Sequence, residues 1–290
     1  MRIRDAIELV LLAAVWGASF LFMRIASPEF GPVVLVELRV LIAALVLLPV
    51  LLVRKNSVSL SQNWRKLALL GVFNSAIPFY LFAYATLTLT AGYASILNAT
   101  APMFAAVVAW LWLSQKLTAL QSAGLVIGIV GVTVLVWPKL SFGIDGAAIA
   151  IGAGLLASFC YGIAANYTKK YVGNVGSLSI ATGSMLAASL FLLPGALIYW
   201  PQHAISTEAW ISVIALGVAS TGFAYILYFR LIRNIGPAKA ITVTYLLPVF
   251  AAFWGAIVLS EEITLIMIVG AAIIFTGTAL ATGIISRRTI

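Results

Sequence analysis

The sequence holds one cysteine, Cys160, and one histidine, His203, and only 9% of its 290 residues are charged. A single cysteine excludes an intramolecular disulfide; set inside an apolar run, Cys160 reads as a small packing residue. There is no His-Glu-x-x-His metal signature, no Gly-Lys dipeptide from which a phosphate-binding loop could be built, and no Gly-x-Ser-x-Gly elbow. Direct ATP coupling is thereby excluded. No mid-span histidine or aspartate stands beside a serine, so an intramembrane hydrolase or acyl transferase lacks its base. The chain is not expected to be an enzyme, and neither a cofactor nor a metal is expected.

Apolar sequence is what the chain has in abundance: 63% hydrophobic residues and a mean hydropathy of +1.13. A soluble domain cannot hide that much apolar surface, so the lipid bilayer must be the solvent. A crossing helix needs roughly 20 apolar residues, and ten such stretches are legible, at about 7–26, 32–53, 67–89, 91–113, 119–137, 147–168, 176–199, 210–231, 238–259 and 263–285. The net charge of +9 sits in the connections, where it orients a membrane protein rather than binding nucleic acid.

A shift of 146 positions superimposes the chain on itself. Pro102 falls on Pro248, Phe104-Ala105-Ala106 on Phe250-Ala251-Ala252, Leu113-Ser114 on Leu259-Ser260, Thr118 on Thr264, Gly124 on Gly270 and Gly131 on Gly277; a shift of 145 sets Trp16-Gly17 on Tyr161-Gly162. The unit is a five-span half. The reading is an all-α membrane protein with a first repeat over residues 1–137, an outer linker over 138–146 and a second repeat over 147–290.

Basic residues fall in alternate connections: Arg2 and Arg4, Arg54 and Lys55, Arg65 and Lys66, Lys116, Lys169 and Lys170, Arg230 and Arg233, Lys239, and Arg287 and Arg288. Lys139 alone lies clearly in an opposite loop. The positive-inside rule then places both termini in the cytoplasm. Five spans is an odd number, so the second repeat enters from the other face, an arrangement used by secondary transporters.

Prolines at mid-span mark where chemistry is expected. Each removes the hydrogen bond to the carbonyl four residues earlier, so Pro78, Pro102 and Pro248 free the carbonyls of Asn74, Asn98 and Thr244 and serve as hinges. Unsatisfied backbone in hydrocarbon is tolerated where protein or water covers it, so these turns point to a shared polar cavity. The alternative is that Asn98 and Thr244 join helices by hydrogen bonds worth about 1 kcal/mol each. Trp16, Tyr80, Tyr84, Tyr161, Tyr225 and Tyr245, with Thr221, complete the expected lining, aromatic rings serving packing or substrate contact. As repeat partners, Asn98 and Thr244 are expected to face one another and to hold the two charged ends of a zwitterion.

Ionisable residues inside spans are few. Glu37 and Arg39 lie near the outer end of the second span and Arg24 at the outer end of the first; such residues call for a partner or a function. Glu37 lies about 8 Å below the outer end at 1.5 Å per residue, and a salt bridge of Glu37 with Arg24 is the expectation, proton coupling through Glu37 the alternative. Gly124, Gly128, Gly131, Gly270 and Gly277 permit close helix approach, within the chain or between copies; monomer and homodimer both remain open.

With these residues in hand, the chain resembles the EamA-type permeases of the drug/metabolite transporter superfamily. The resemblance rests on Trp16-Gly17 followed by Phe20 and Arg24, Pro32 with Leu38-Arg39, Ala94-Ser95 through Pro102, Leu113-Ser114, Ala224-Tyr225, and Pro248 through Leu259-Ser260-Glu261. Gln115-Lys116 departs from it where an acidic residue is common. The resemblance implies a bacterial inner-membrane exporter of small metabolites working by alternating access, with protons as a candidate coupling ion and a cavity formed by the first, third, fourth, sixth, eighth and ninth spans. Amino acids are the leading substrate class, the layout being most similar to the YddG-type aromatic amino acid exporters; nucleobases and cationic drugs are the alternatives, and a passive channel or a sensor the rival classes.

Overall fold

A computed structural model describes residues 2–53, 57–141 and 146–283. Arg54, Lys55, residues 142–145 of the expected outer linker, the end of the tenth span, Arg287 and Arg288 lie outside the described residues. Among those described there is no strand. The first two spans form one helical run, Ile3–Val53, broken only at Gly31. There φ is 70° and ψ 153°, a conformation nearly closed to residues with a Cβ, and Pro32 then restarts the helix. The remaining spans are Trp64–Ala85, Ala91–Leu113, Ala119–Leu140, Ala147–Val172, Ser177–Ile198, Thr207–Ile235, Val243–Leu259 and Leu265–Ala281, so the described chain makes ten apolar helical segments.

Their ends follow from local chemistry. Thr90, Ser206 and Thr264 cap the fourth, eighth and tenth spans, each hydroxyl accepting from the backbone N–H three residues on. Ser114 and Ser260, repeat partners, end the fourth and ninth spans with φ of 52° and 54°. Their successors, Gln115 and Glu261, donate their N–H groups to Ala109 and Gly255 in the same pattern. The repeat is thus geometric as well as sequential.

Packing repeats too. A Cβ on Gly17 in the first span would stand 2.7 Å from Phe250 Cβ and 2.9 Å from Ala251 N in the ninth; one on Gly162 in the sixth would stand 2.8 Å from Ala105 N in the fourth. Each half thus presents a glycine to the Phe-Ala pair of the other, and the two halves interlock. The second span lies along the seventh and eighth, where Gly195, Gly217 and Gly222 admit Val33, Ile42 and Val46. The fifth packs on the tenth, with Gly124, Gly128 and Gly131 against Gly277, Leu280 and Ile274.

The main apolar core runs through the first, second, third, seventh and eighth spans around Phe30, Leu35, Leu47, Phe82 and Met185, and a second cluster around Leu89, Tyr93, Leu97 and Leu135 joins the third to sixth and tenth.

Candidate functional site

Three of the described spans carry π-helical turns; that of the sixth, Thr168–Val172, lies at the span's end, and the other two stand at equivalent places of the repeat. Val72–Ala76 in the third and Val218–Phe223 in the eighth are π-helical turns, and 218 is 72 displaced by the repeat shift of 146. Such turns accumulate at functional sites. In the third span the turn stands just ahead of Pro78, which has no N–H to donate to Asn74 O, and ends with Ile77 N–H donating to Val72 O. The eighth has no proline there; its signal is the run Ser220-Thr221-Gly222, a polar patch with a glycine, of which Thr221 is the expected lining residue.

Between these turns lies a polar centre. Thr221 is the middle residue of Thr207–Ile235, (207 + 235)/2 = 221, and so sits halfway through the bundle. Its hydroxyl donates to Leu216 O at 2.8 Å and accepts from Arg39 Nε at 3.0 Å. The Arg39 guanidinium lies with Cζ 3.6 Å from the Phe79 ring centroid, and Nη1 reaches Met23 Sδ at 3.7 Å. Asn74 Nδ2 donates to Tyr225 Oη at 3.4 Å, joining the two π-turn spans. Around them, Trp16 packs edge-on to Tyr225 at 6.5 Å and on Tyr228 at 5.2 Å, and Tyr161 stacks on Phe82 at 6.2 Å.

Of the residues singled out in the sequence, Trp16, Asn74, Tyr161, Thr221 and Tyr225 converge here. The others do not meet in this cluster. Tyr84 packs on the second apolar cluster. Tyr245 faces the tenth span, its ring 6.1 Å from Phe275. Thr244 donates its hydroxyl to Ile241 O at 2.8 Å, Asn98 ends the helix Ala91–Asn98, and no hydrogen bond joins the two among the described residues. Tyr80 is half-buried with no ring partner among them. Pro102 follows the break at residues 99–100, whereas the corresponding turn of the second half, at 241–242, separates the short helix Pro237–Ala240 from the ninth span and lies six residues ahead of Pro248.

The ionisable residues correct the expectation. Arg24 does not pair with Glu37. Its Nε lies 3.7 Å from Glu261 Oε1, and its Nη1 donates to the carbonyls of Thr86 and Leu87 at 2.6 and 2.8 Å. Glu37 faces the seventh span, Oε1 accepting from Ser189 Oγ at 2.6 Å while Oε2, buried, has no partner among the described residues. Arg39 is not a residue of the outer rim: it is 5% exposed, and its Nε reaches Thr221, the middle residue of the eighth span. The sequence signal was an arginine in an apolar span with no acidic residue three or four positions away.

Glu261 ties the halves at one end. Its carboxylate accepts from Ala91 N at 3.2 and 2.9 Å, a favourable place for negative charge at the first turn of the fourth span. Burial nevertheless pushes this carboxyl above the usual carboxylate range, outweighing the Ala91 N–H and the Arg24 charge, which act downward. A carboxyl raised in the folded state contributes stability that is full below its unfolded value and is lost as pH rises through the folded one. Melting of the wild type and of Glu261→Gln across pH 4 to 8 should therefore show the wild type gaining stability relative to the variant as pH falls; a wild type that loses stability relative to the variant toward acid contradicts this assignment.

At the opposite end Glu8 receives Arg230 and, at 3.0 Å, Arg4 Nε, and Asn234 Nδ2 donates to Asp5 at 3.2 Å. These contacts join the first span to the eighth. A groove of ≈ 390 Å³ among Leu70, Phe73, Trp112, Ile163, Tyr167 and Tyr171 is apolar and separate from the polar centre.

A model of the EamA-like transporter family matches residues 6–137 and 148–283. The chain is 24% identical over 294 residues to the uncharacterized transporter YoaV of Bacillus subtilis, covering 99% of each. It is 27% identical over 262 residues to the uncharacterized inner membrane transporter YedA of Escherichia coli, covering 88% of this chain and 84% of that one. A crystal structure superposes on it with a TM-score of 0.67 at 17% identity, over 100% of both chains, which supports the fold alone.

Proposed function

Since the chain belongs to the EamA-like transporter family and is a multi-pass membrane transporter, we propose that it is a secondary carrier exporting small metabolites, amino acids first, across a bacterial inner membrane by alternating access. The observation that carries this reading is the repeat-matched pair of π-turns, Val72–Ala76 and Val218–Phe223, bracketing a polar centre at mid-bundle. A ligand held there touches both halves at once, so its binding energy can bias how they sit against each other.

The halves also differ where they ought to match. The fourth span breaks at residues 99–100, and the corresponding break of the second half, at 241–242, falls four positions earlier in the repeat register (241 − 146 = 95). This difference between like sequences supports two halves that move against each other around a shared site. The relatives' transporter names and the inner-membrane placement of YedA agree with this reading.

The test is uptake of labelled tryptophan, phenylalanine and threonine into proteoliposomes holding the full-length protein, with and without a pH gradient. Saturable uptake supports the reading, and acceleration by the gradient adds proton coupling. Asn74→Ala and Tyr225→Phe should each lower uptake about tenfold or more, the loss of a hydrogen bond to a charged ligand group being worth about 1.5–3 kcal/mol. No uptake of any of the three removes amino acids from the account.

A further inference from the structure

Resting on the carrier reading above, the geometry assigns Arg39 a role beyond it: we propose that this guanidinium receives the anionic group of the transported molecule, which is a carboxylate. Arg39 is buried at the middle of the bundle. Among the described residues it forms no ion pair; its two-residue neighbour Glu37 turns to another face, where one carboxylate oxygen accepts from Ser189 and the other has no partner. A guanidinium has five N–H donors. Thr221 takes one and the Met23 sulfur weakly takes a second, leaving three for a ligand.

A lone cation in an apolar bundle is costly. Phe79 and the Thr221 hydroxyl lessen that cost without cancelling the charge. A bidentate oxyanion matches both the fork of free donors and the missing charge. One carboxylate neutralises one guanidinium, whereas a phosphate dianion would leave a net negative charge in the same apolar surroundings. An accompanying ammonium would meet the rings of Trp16, Tyr228 and Phe82. Cationic drugs, by contrast, would be repelled.

The experiment uses the purified full-length protein and a panel in which side chain and charge vary independently: phenylalanine, its amine phenethylamine and its hydroxy acid phenyllactate, with the tryptophan, tryptamine and indole-lactate set alongside. Thermal stabilisation and proteoliposome uptake are read for the wild type, Arg39→Lys and Arg39→Gln. Carboxylate-bearing compounds should stabilise the wild type and enter, the amines should not, and Arg39→Gln should lose about 100-fold in affinity while Arg39→Lys loses about 10-fold. Amines handled as well as acids, no carboxylate bound at all, or unchanged affinity in Arg39→Gln each overturn the proposal.

Phenyllactate uptake without phenylalanine uptake, lost in Arg39→Gln, retires the amino-acid reading and keeps this one; phenylalanine uptake indifferent to Arg39→Gln does the reverse. A substrate-free measurement separates binding from architecture. Arg39→Met should melt higher than the wild type without ligand, because it removes an uncompensated charge; a lower melting temperature makes Arg39 a structural residue and overturns the proposal.

Discussion

Gly277→Val should prevent the protein from reaching a stable fold. A Cβ at Gly277 would lie 2.4 Å from Gly128 N and 2.6 Å from Gly128 Cα, and the reciprocal Cβ on Gly124 would lie 2.4 Å from Ala281 N. These obstacles are backbone, which cannot rotate away as a side-chain tip can. The fifth and tenth spans would have to separate along their length, and the van der Waals contact that holds helices together in lipid would be lost. Overpacking of a well-fitted interior costs about 1–3 kcal/mol and more where backbone must move, so valine should cost about 3 kcal/mol or more. Melting in detergent and the fraction recovered in the monodisperse peak check this. Gly152, whose Cβ would meet nothing within 4 Å, provides the control: Gly152→Ala should fall within about 1 kcal/mol of the wild type.

Arg230→Ala is expected to be the next most damaging single change. The Glu8 side chain is 8% exposed and loses its principal partner, while Arg4, 74% exposed, remains as a weak substitute. Stranding one member of a buried pair costs about 3–5 kcal/mol; Arg230 is itself 38% exposed, so screening by water brings the expectation to about 2 kcal/mol. Arg4→Ala, which removes an exposed pair within one helix, should cost about 0.5 kcal/mol or less. Similar melting shifts for the two variants would show that the contact between the first and eighth spans contributes little. Glu8→Gln combined with Arg230→Ala should recover part of the loss, since the stranded charge is then gone.

Much of this architecture could be read from the residues because it depends on patterns that repeat. Apolar runs located the spans, and the 146-residue shift located the Ser114 and Ser260 helix ends, the matched glycines and the relation between the halves. Mid-span prolines led to one of the two central π-turns. The other has no proline, and only its small polar residues betrayed it. The site was harder because a helical sequence tells which residues share a face without telling what that face meets. Tyr80 and Tyr84 are four apart, yet Tyr84 packs into the second apolar cluster. Tyr245 follows Thr244 and turns to the tenth span. The backbone position of Arg39 places it near the outer end of its span, but backbone position leaves out the reach of the side chain, whose Nε meets Thr221. The partner of Arg24 lies in a connection 237 residues away (261 − 24 = 237), a pairing that no local spacing encodes.

The most direct measurement of the central claim is counterflow in proteoliposomes, preloaded with an unlabelled amino acid that the protein takes up and diluted into the labelled one. A carrier alternating around Arg39 should concentrate label transiently inside, and exchange should outpace net flux, since the empty protein must pass through its occluded state with the guanidinium bare. Label that rises only to equilibrium, at a rate indifferent to the preload and without saturation, would contradict the account and make the protein a channel.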